Sequence, residues 1–419
     1  MRLLAITLPY PGHLQPLACL LRTLAQRGHT VAVAASPDAA APLADSGITH
    51  LPLAAQALPA GSLAQHRKRF ATTEGVRAVR EFLSFCATHT EGAMREGDAA
   101  LAAFSPDALI GDQVEPATSV LAERHGLPLA VVCNALALHR HPDLPPLWHA
   151  GAPAGNPFTR TWYRLLHRIG DSVALPYYAC VRTERARAGL PPWRGAEHFF
   201  ARSSLLEVAQ DPPSFVDRQR LPPHVHACGP FRDDAYDRGE LPALADDDRP
   251  LAFVSLGTLQ DRRADLLLAV AQAIAQLGWR ALIADGGTLS GQTLPPGVHA
   301  FAHVRQRAII ARSAVVVSHG GLNTVLDALA AARPLVLLPL AFEQPTIAAR
   351  VARLSAGVVV PPGRRTARGI AEALTAATAL GEGARRCAQE LAAAGGAVKA
   401  ADFIERSFSR QHAQVPTIK

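Results

Sequence analysis

A chain of 419 residues is too long for one ordinary hydrophobic core and points to two domains. It is 49% hydrophobic and 18% charged, which excludes a disordered chain, yet no apolar run is long and clean enough to cross a bilayer. Its net charge of +7 comes from scattered arginines with no recognition motif beside them, which argues against a nucleic-acid partner and for a basic face toward an anionic small molecule or a membrane surface.

Six cysteines lie far apart without a C-x-x-C pair, so neither a zinc site nor a disulfide framework is expected. The first residues lack a secretory pattern, and a cytoplasmic protein is expected. In chain order, Leu3, Leu4, Ala5, Ile6 and Leu8 form a short buried strand. After "PYPGH" come Leu14, Leu17, Leu21 and Leu24 at helical spacing, with Pro16 tolerable in a first turn and Gly28 as a stop. Gly12 and His13 therefore stand at the carboxyl end of a strand, the rim where open parallel sheets bind ligands. An isolated histidine there more often caps or packs. "HTVAVAAS" is a second strand and, after a less regular middle, "DALIGD" is another, ending on Asp112. Glu115 stands either near a bound acceptor or, beside Pro116, as a helix-start charge. A helix through "ATSVLAERHG" leads to the strand "PLAVVCN", whose end places Asn134 where it could line a ligand cleft. In "NPFTRTWYRLLHRIG", Trp162, Leu165, Leu166 and Ile169 share one helix face and Arg160, Arg164 and Arg168 another. That is the pattern of a basic helix lying on an anionic membrane, and also of a surface helix packed on a core.

Residues 231–250, rich in Asp, Pro and Gly, read as a linker between residues 1–230 and 251–398. "DDD" at 246–248 matches a metal signature formally but reads as a solvated acidic loop. The second half alternates strand and helix from "PLAFVSLGT" to "VVVP", which with the first half predicts right-handed βαβ units and two parallel sheets, an α/β fold. Its most informative stretch is "SHGGLNTVLDALAAARPLVLLPLAFEQP". A strand delivers His319, Gly320 and Gly321 let the backbone turn, and Leu322, Asn323 and Thr324 open a helix whose start suits a diphosphate. Asp327 lies one turn further on, where a carboxylate accepts from ribose hydroxyls, and Glu343 with Gln344 suits sugar hydroxyls. "SLGT", with Ser255, Gly257 and Thr258, is a second glycine turn toward the same rim.

These motifs resemble the nucleotide-sugar signature of the family 1 glycosyltransferases, and "PGHLQP" resembles that family's N-terminal catalytic loop. "GDQVEPA", "SLGTLQ", "HGGLNTVLDA" and "PLAFEQP" are similar, more narrowly, to bacterial zeaxanthin (carotenoid) glucosyltransferases. The resemblance implies a GT-B fold of two facing Rossmann-like domains with the active site in their cleft, and a last helix, about 399–419, that crosses back to the first domain and helps hold the halves together. It implies UDP-glucose as donor substrate, an apolar hydroxylated acceptor such as zeaxanthin, no permanently bound cofactor and no metal. His13 would be the general base, Asp112 its orienting carboxylate, and transfer a single inverting displacement. The same resemblance gives His303, Val304 and Gln306 ("HVRQ") the place of a Trp-x-Pro-Gln segment that reads the base. An imidazole would then stack where an indole is usual, which leaves the choice between uracil and thymine open. Three other readings remain: transfer to a phenol, macrolide or other natural product, an epimerase of the same fold, and a non-catalytic nucleotide-sugar-binding protein.

Overall fold

The computed structural model describes residues 1–70, 73, 75–193, 200–215, 220–237, 239–242, 247–257 and 263–414. They form two compact units. The first contains β1 (Arg2–Ile6), α1 (Pro11–Gln26), β2 (Thr30–Ala35), the short α2 (Ala40–Leu43), β3 (Thr49–Pro52), α3 (Ser62–Phe70) and α4 (Gly75–Phe104). It continues through β4 (Ala108–Asp112), α5 (Ala117–His125), β5 (Leu129–Cys133), α6 (Pro157–Arg187), β6 (Leu206–Ala209) and β7 (Val225–Ala227). The strands make one parallel sheet in the order β3-β2-β1-β4-β5-β6-β7. Strand order reverses between β1 and β4, and such a switch point opens a crevice at the carboxyl ends of the two central strands.

The second unit has β8 (Leu251–Ser255), α7 (Ala264–Gln276), β9 (Arg280–Ala284), β10 (Val298–Phe301), α8 (Gln306–Arg312), β11 (Val315–Ser318) and α9 (Leu322–Ala330). After these come β12 (Leu335–Leu337), α10 (Gln344–Arg353), β13 (Gly357–Val359), α11 (Ala367–Thr378) and α12 (Gly381–Ala394). Its parallel sheet runs β10-β9-β8-β11-β12-β13, with the switch point between β8 and β11. β4, β5 and β8 are buried at every position, which fits strands covered by helices on both faces.

The chain does not divide at the composition boundary alone. Pro145–Pro153, inside the first half of the sequence, belongs to the second unit, where the Thr346 hydroxyl donates to the His149 carbonyl at 3.2 Å. The expected linker at 231–250 is shared between the units, Arg232 belonging to the first and Asp233 to the second. Asp237 accepts from the Arg307 and Ala308 amides (2.9 and 3.2 Å), and Glu240 pairs with Val304 as a short parallel bridge. Asp246 lies outside the described residues, while Asp247 accepts from the Arg249 amide at 2.8 Å and pairs with Arg249 and Arg280. The last helix, α13 (Gly396–Gln414), is part of the first unit. There Arg27, just beyond α1, bonds Asp402 and Glu405 at 2.8 Å each, and His226 stacks on Phe403 at 4.0 Å.

Pro16 is the sixth residue of α1 rather than a first-turn residue, because the helix starts at Pro11. Its ring removes the amide that would reach the Gly12 carbonyl, and the buried leucines Leu14, Leu17, Leu20, Leu21 and Leu24 hold the helix nonetheless. No described helix is long and apolar enough to cross a membrane.

Close backbone packing in the second unit makes one glycine of α12 irreplaceable. A Cβ at Gly383 would stand 1.9 Å from the Ser355 carbonyl oxygen. Gly383→Ala is expected to lower stability by at least about 2 kcal/mol, read as a lower urea midpoint, since backbone cannot yield as a flexible side chain can.

Candidate active site

At the first switch point, β1 and β4 run in register from Leu3 opposite Ala108 to Ile6 opposite Gly111. One step further Thr7 stands beside Asp112, and its hydroxyl donates to Asp112 Oδ2 at 2.8 Å. Tyr10 is the N-cap of α1 and Pro11 pre-sets its first turn. The His13 and Leu14 amides both donate to the Tyr10 carbonyl at 2.9 Å. This turn brings His13 Nδ1 to 2.8 Å from Asp112 Oδ2. Burial alone would raise the fully buried Asp112 carboxyl; the charge and hydrogen bond of His13, with the Thr7 hydroxyl and the Val114 amide, outweigh it and hold it below the usual range. An ionised carboxylate only accepts, so Nδ1 carries the proton and Nε2 is the basic nitrogen of the neutral ring. The arrangement therefore supplies a proton acceptor whose cationic form has its counter-charge in place.

The loop and helices beside His13 build an aromatic cluster that motif reading missed. Tyr10 packs against Phe82 and Phe85 with centroids at 5.5 and 5.4 Å, against His66 at 5.9 Å and against His13 at 6.2 Å. His66 lies 4.5 Å from Phe85 and 5.9 Å from Phe70. The buried Tyr10 hydroxyl makes no hydrogen bond among the described residues. Burial lowers the His66 imidazole, opposed by Glu81, whose carboxylate is 3.4 Å from Nδ1. The signal was present only as aromatics spread over three segments.

One expectation at this rim changes. Glu115 does not face a substrate: it is fully buried, held by His89 Nδ1 at 2.5 Å, by the Thr90 hydroxyl at 3.0 Å and by the Ala117 amide at 3.1 Å. It caps α5 from inside the protein. Asn134 does sit just past β5, but it is buried (3% exposed) and its side-chain oxygen and nitrogen have no hydrogen-bond partner among the described residues. Its surroundings are satisfied without it, for Gln210 donates to its backbone carbonyl and Gln113 and Asp211 hold the following loop.

At the second switch point, Ser255 ends β8 and His319 follows β11, strands paired up to Ser255 opposite Ser318. A Cβ at Gly257 would come within 2.6 Å of the His319 ring and one at Gly321 within 2.5 Å, so the imidazole fits only because both neighbours are glycine. Gly257 and Gly320 also take φ of +80° and +91°. Burial pushes the His319 imidazole down to about 4, opposed by a hydrogen bond with the Ser255 backbone. It is neutral near pH 7, and its buried Nδ1 has no partner among the described residues. Gly321 is the N-cap of α9, whose first helical bond runs from the Val325 amide to the Gly321 carbonyl at 3.1 Å. The amides of Leu322, Asn323 and Thr324 thus form the positive end of that helix. Leu322 and Thr324 are buried.

Elsewhere in this unit the candidates separate. Gln306, first residue of α8, donates to Asp327 Oδ2 at 2.7 Å, which fixes that carboxylate's direction. Gln344 Oε1 accepts from the Leu340 and Ala341 amides (2.7 and 2.9 Å), so its oxygen braces the loop ahead of α10 instead of facing a sugar. Glu343 is the N-cap of α10. His303 is exposed and Val304 buried, their backbones joined to Glu240. Thr258 lies outside the described residues.

Because the folded His319 titrates near 4 and the unfolded one near 6.5, the unfolded chain binds the extra proton between those values. Stability contributed by the neutral ring is complete above pH 6.5 and lost toward pH 4. Thermal melts of His319→Gln are expected to show a shallower fall over that window than the wild type.

Residues 284–406 match the model of the glycosyltransferase family 28 C-terminal domain. The chain is 31% identical over 410 residues, 96% of both chains, to a zeaxanthin glucosyltransferase of Pseudescherichia vulneris. It is 30% identical to that of Pantoea ananas, over 83% of this chain and 81% of the other. Among solved structures, the glycotransferase of kitacinnamycin superposes with a TM-score of 0.76 at 23% identity, covering 97% of this chain and 98% of the other. With two doubly wound parallel domains and that extent of similarity, the chain belongs to the family 1 glycosyltransferases of the GT-B fold.

Proposed function

We propose that this glycosyltransferase moves glucose from UDP-glucose to a hydroxyl of an apolar acceptor, a xanthophyll such as zeaxanthin, by one inverting displacement that needs no metal. The observation that carries the chemistry is the His13–Asp112 hydrogen bond at the first switch point. In this reading His13 Nε2 takes the proton of the acceptor hydroxyl as its oxygen forms the new bond to the anomeric carbon. The bond from that carbon to the diphosphate breaks with its electron pair, and Asp112 stabilises the imidazolium. The start of α9 and the neutral His319 would meet the charge that develops on the leaving diphosphate. Asp327, aimed by Gln306, would accept from the ribose, and Glu343 from the sugar.

Glucose and the xanthophyll rest on the similarity to the two zeaxanthin glucosyltransferases. The aromatic cluster of Tyr10, Phe82 and Phe85 beside His13 favours an apolar acceptor independently of that similarity. An exposed imidazole at His303 is a small stacking platform, so a thymidine-diphosphate sugar is the competing donor. A cytoplasmic reaction fits six cysteines held as thiols, five of them buried. Asn134, whose buried amide lacks a partner, is proposed to orient the acceptor hydroxyl.

His13→Ala is expected to lower kcat by roughly 10²–10⁴-fold and Asp112→Asn by a similar factor, through loss of the base and of its tautomer, with donor affinity nearly unchanged. Product formation against time measures this; a His13→Ala enzyme at wild-type rate would refute the assignment. Phe82→Ala is expected to raise KM for an apolar acceptor about tenfold, with kcat and donor KM nearly unchanged.

A further inference from the structure

Helix α6 presents a face that the proposed reaction does not use. Asn156 caps it, its side chain accepting from the Thr159 amide at 2.9 Å, and Pro157 follows as the first residue. The helix is therefore well formed at its start, where its apolar residues are least covered. Phe158 is 87% exposed and Trp162, Leu165 and Ile169 are 49%, 48% and 47% exposed. At 100° per residue these four side chains fall within an arc of about 60°. Tyr163 and Leu166 are buried and seat the helix on the protein, so Leu166 does not share the outward face that its spacing suggested. A single exposed leucine means little, but an outward ridge of one indole, one phenyl and two branched aliphatic chains is unusual on a surface.

The exposed cations beside the ridge lie to one side of it. Arg160, Arg164 and Arg168 are all exposed. Arg160 pairs with Asp143 at 2.5 Å, whereas Arg164 and Arg168 have no ion pair among the described residues. Asp171 is the one acidic residue between Pro157 and Arg182, and Arg140 neutralises it with bonds of 3.0 and 2.5 Å. An apolar ridge flanked on one side by Arg168 and, further round the helix, by Arg164, neither with an ion-pair partner among the described residues, matches the boundary between acyl chains and anionic headgroups.

We propose that the Phe158–Ile169 face of α6 docks the enzyme on an anionic lipid surface. Phe158, Trp162, Leu165 and Ile169 enter the acyl boundary while Arg164 and Arg168 lie against headgroup phosphates. This goes beyond the reading of the reaction and stands whatever acceptor is used.

The test is co-sedimentation of the full chain with vesicles of phosphatidylcholine alone and of phosphatidylcholine mixed with phosphatidylglycerol. Binding is expected to the mixed vesicles and to fall tenfold or more in Arg164→Glu/Arg168→Glu and in Phe158→Ser/Trp162→Ser. Both double variants should keep the wild-type thermal midpoint and transfer to zeaxanthin dispersed in detergent, which shows that they fold. Absence of binding to the mixed vesicles overturns the proposal. Equal binding to neutral vesicles overturns recognition of anionic lipid. A dimer that Phe158→Ser/Trp162→Ser dissolves, in a wild type that ignores vesicles, assigns the face to a second copy instead.

Discussion

The pairing of β1 with β4 is the constraint from which the chemistry follows. Their register sets Thr7 beside Asp112, and the tight start of α1 returns His13 to the same carboxylate. A fully buried carboxylate is costly unless its oxygens are satisfied, and here an imidazole, a hydroxyl and a backbone amide do so. The three donors come from the residue after β1, from α1 and from the turn after β4, so no single segment could be displaced without stranding the charge. Orientation of the His13 ring is thus tied to the stability of the sheet rim.

The second switch point also carries a histidine, after the other strand of its central pair and in the opposite electrostatic setting. His319 follows a central strand at the switch point, as His13 does, but no carboxylate is hydrogen-bonded to it among the described residues. Between Gly257 and Gly321 the ring is desolvated and stays neutral. The two switch points thus carry one ring held by a buried carboxylate and one ring kept neutral by burial. This difference suits proton removal in one unit and the cradling of a diphosphate at a helix start in the other.

The strand-turn-helix segments at both switch points were legible in the sequence because their chemistry is local: a glycine turn, a polar residue at a strand end and a periodic apolar helix within thirty residues. The long helix α4 was not. Its glycines Gly92 and Gly97 serve close packing, for a Cβ there would meet Ala54 at 2.5 Å and Leu121 at 2.6 Å. Its polar residues His89 and Thr90 face inward to Glu115, which interrupts the apolar period. Burial of Glu115 is a long-range fact that its neighbour Pro116 could not disclose. Gln344 was recognised as important, but its role in bracing Leu340 and Ala341 depends on loop geometry. The transfer of Pro145–Pro153 to the second unit has no local signature at all.

The central claim is that this chain couples an activated hydroxyl on an apolar acceptor to a nucleotide-activated glucose. Mass spectrometry of products formed from UDP-glucose with zeaxanthin in detergent, beside a phenol and a macrolide, tests it most directly. The account expects zeaxanthin to gain one or two hexose masses while the other acceptors stay largely unmodified. Hexose addition to the phenol or macrolide with zeaxanthin untouched would contradict it.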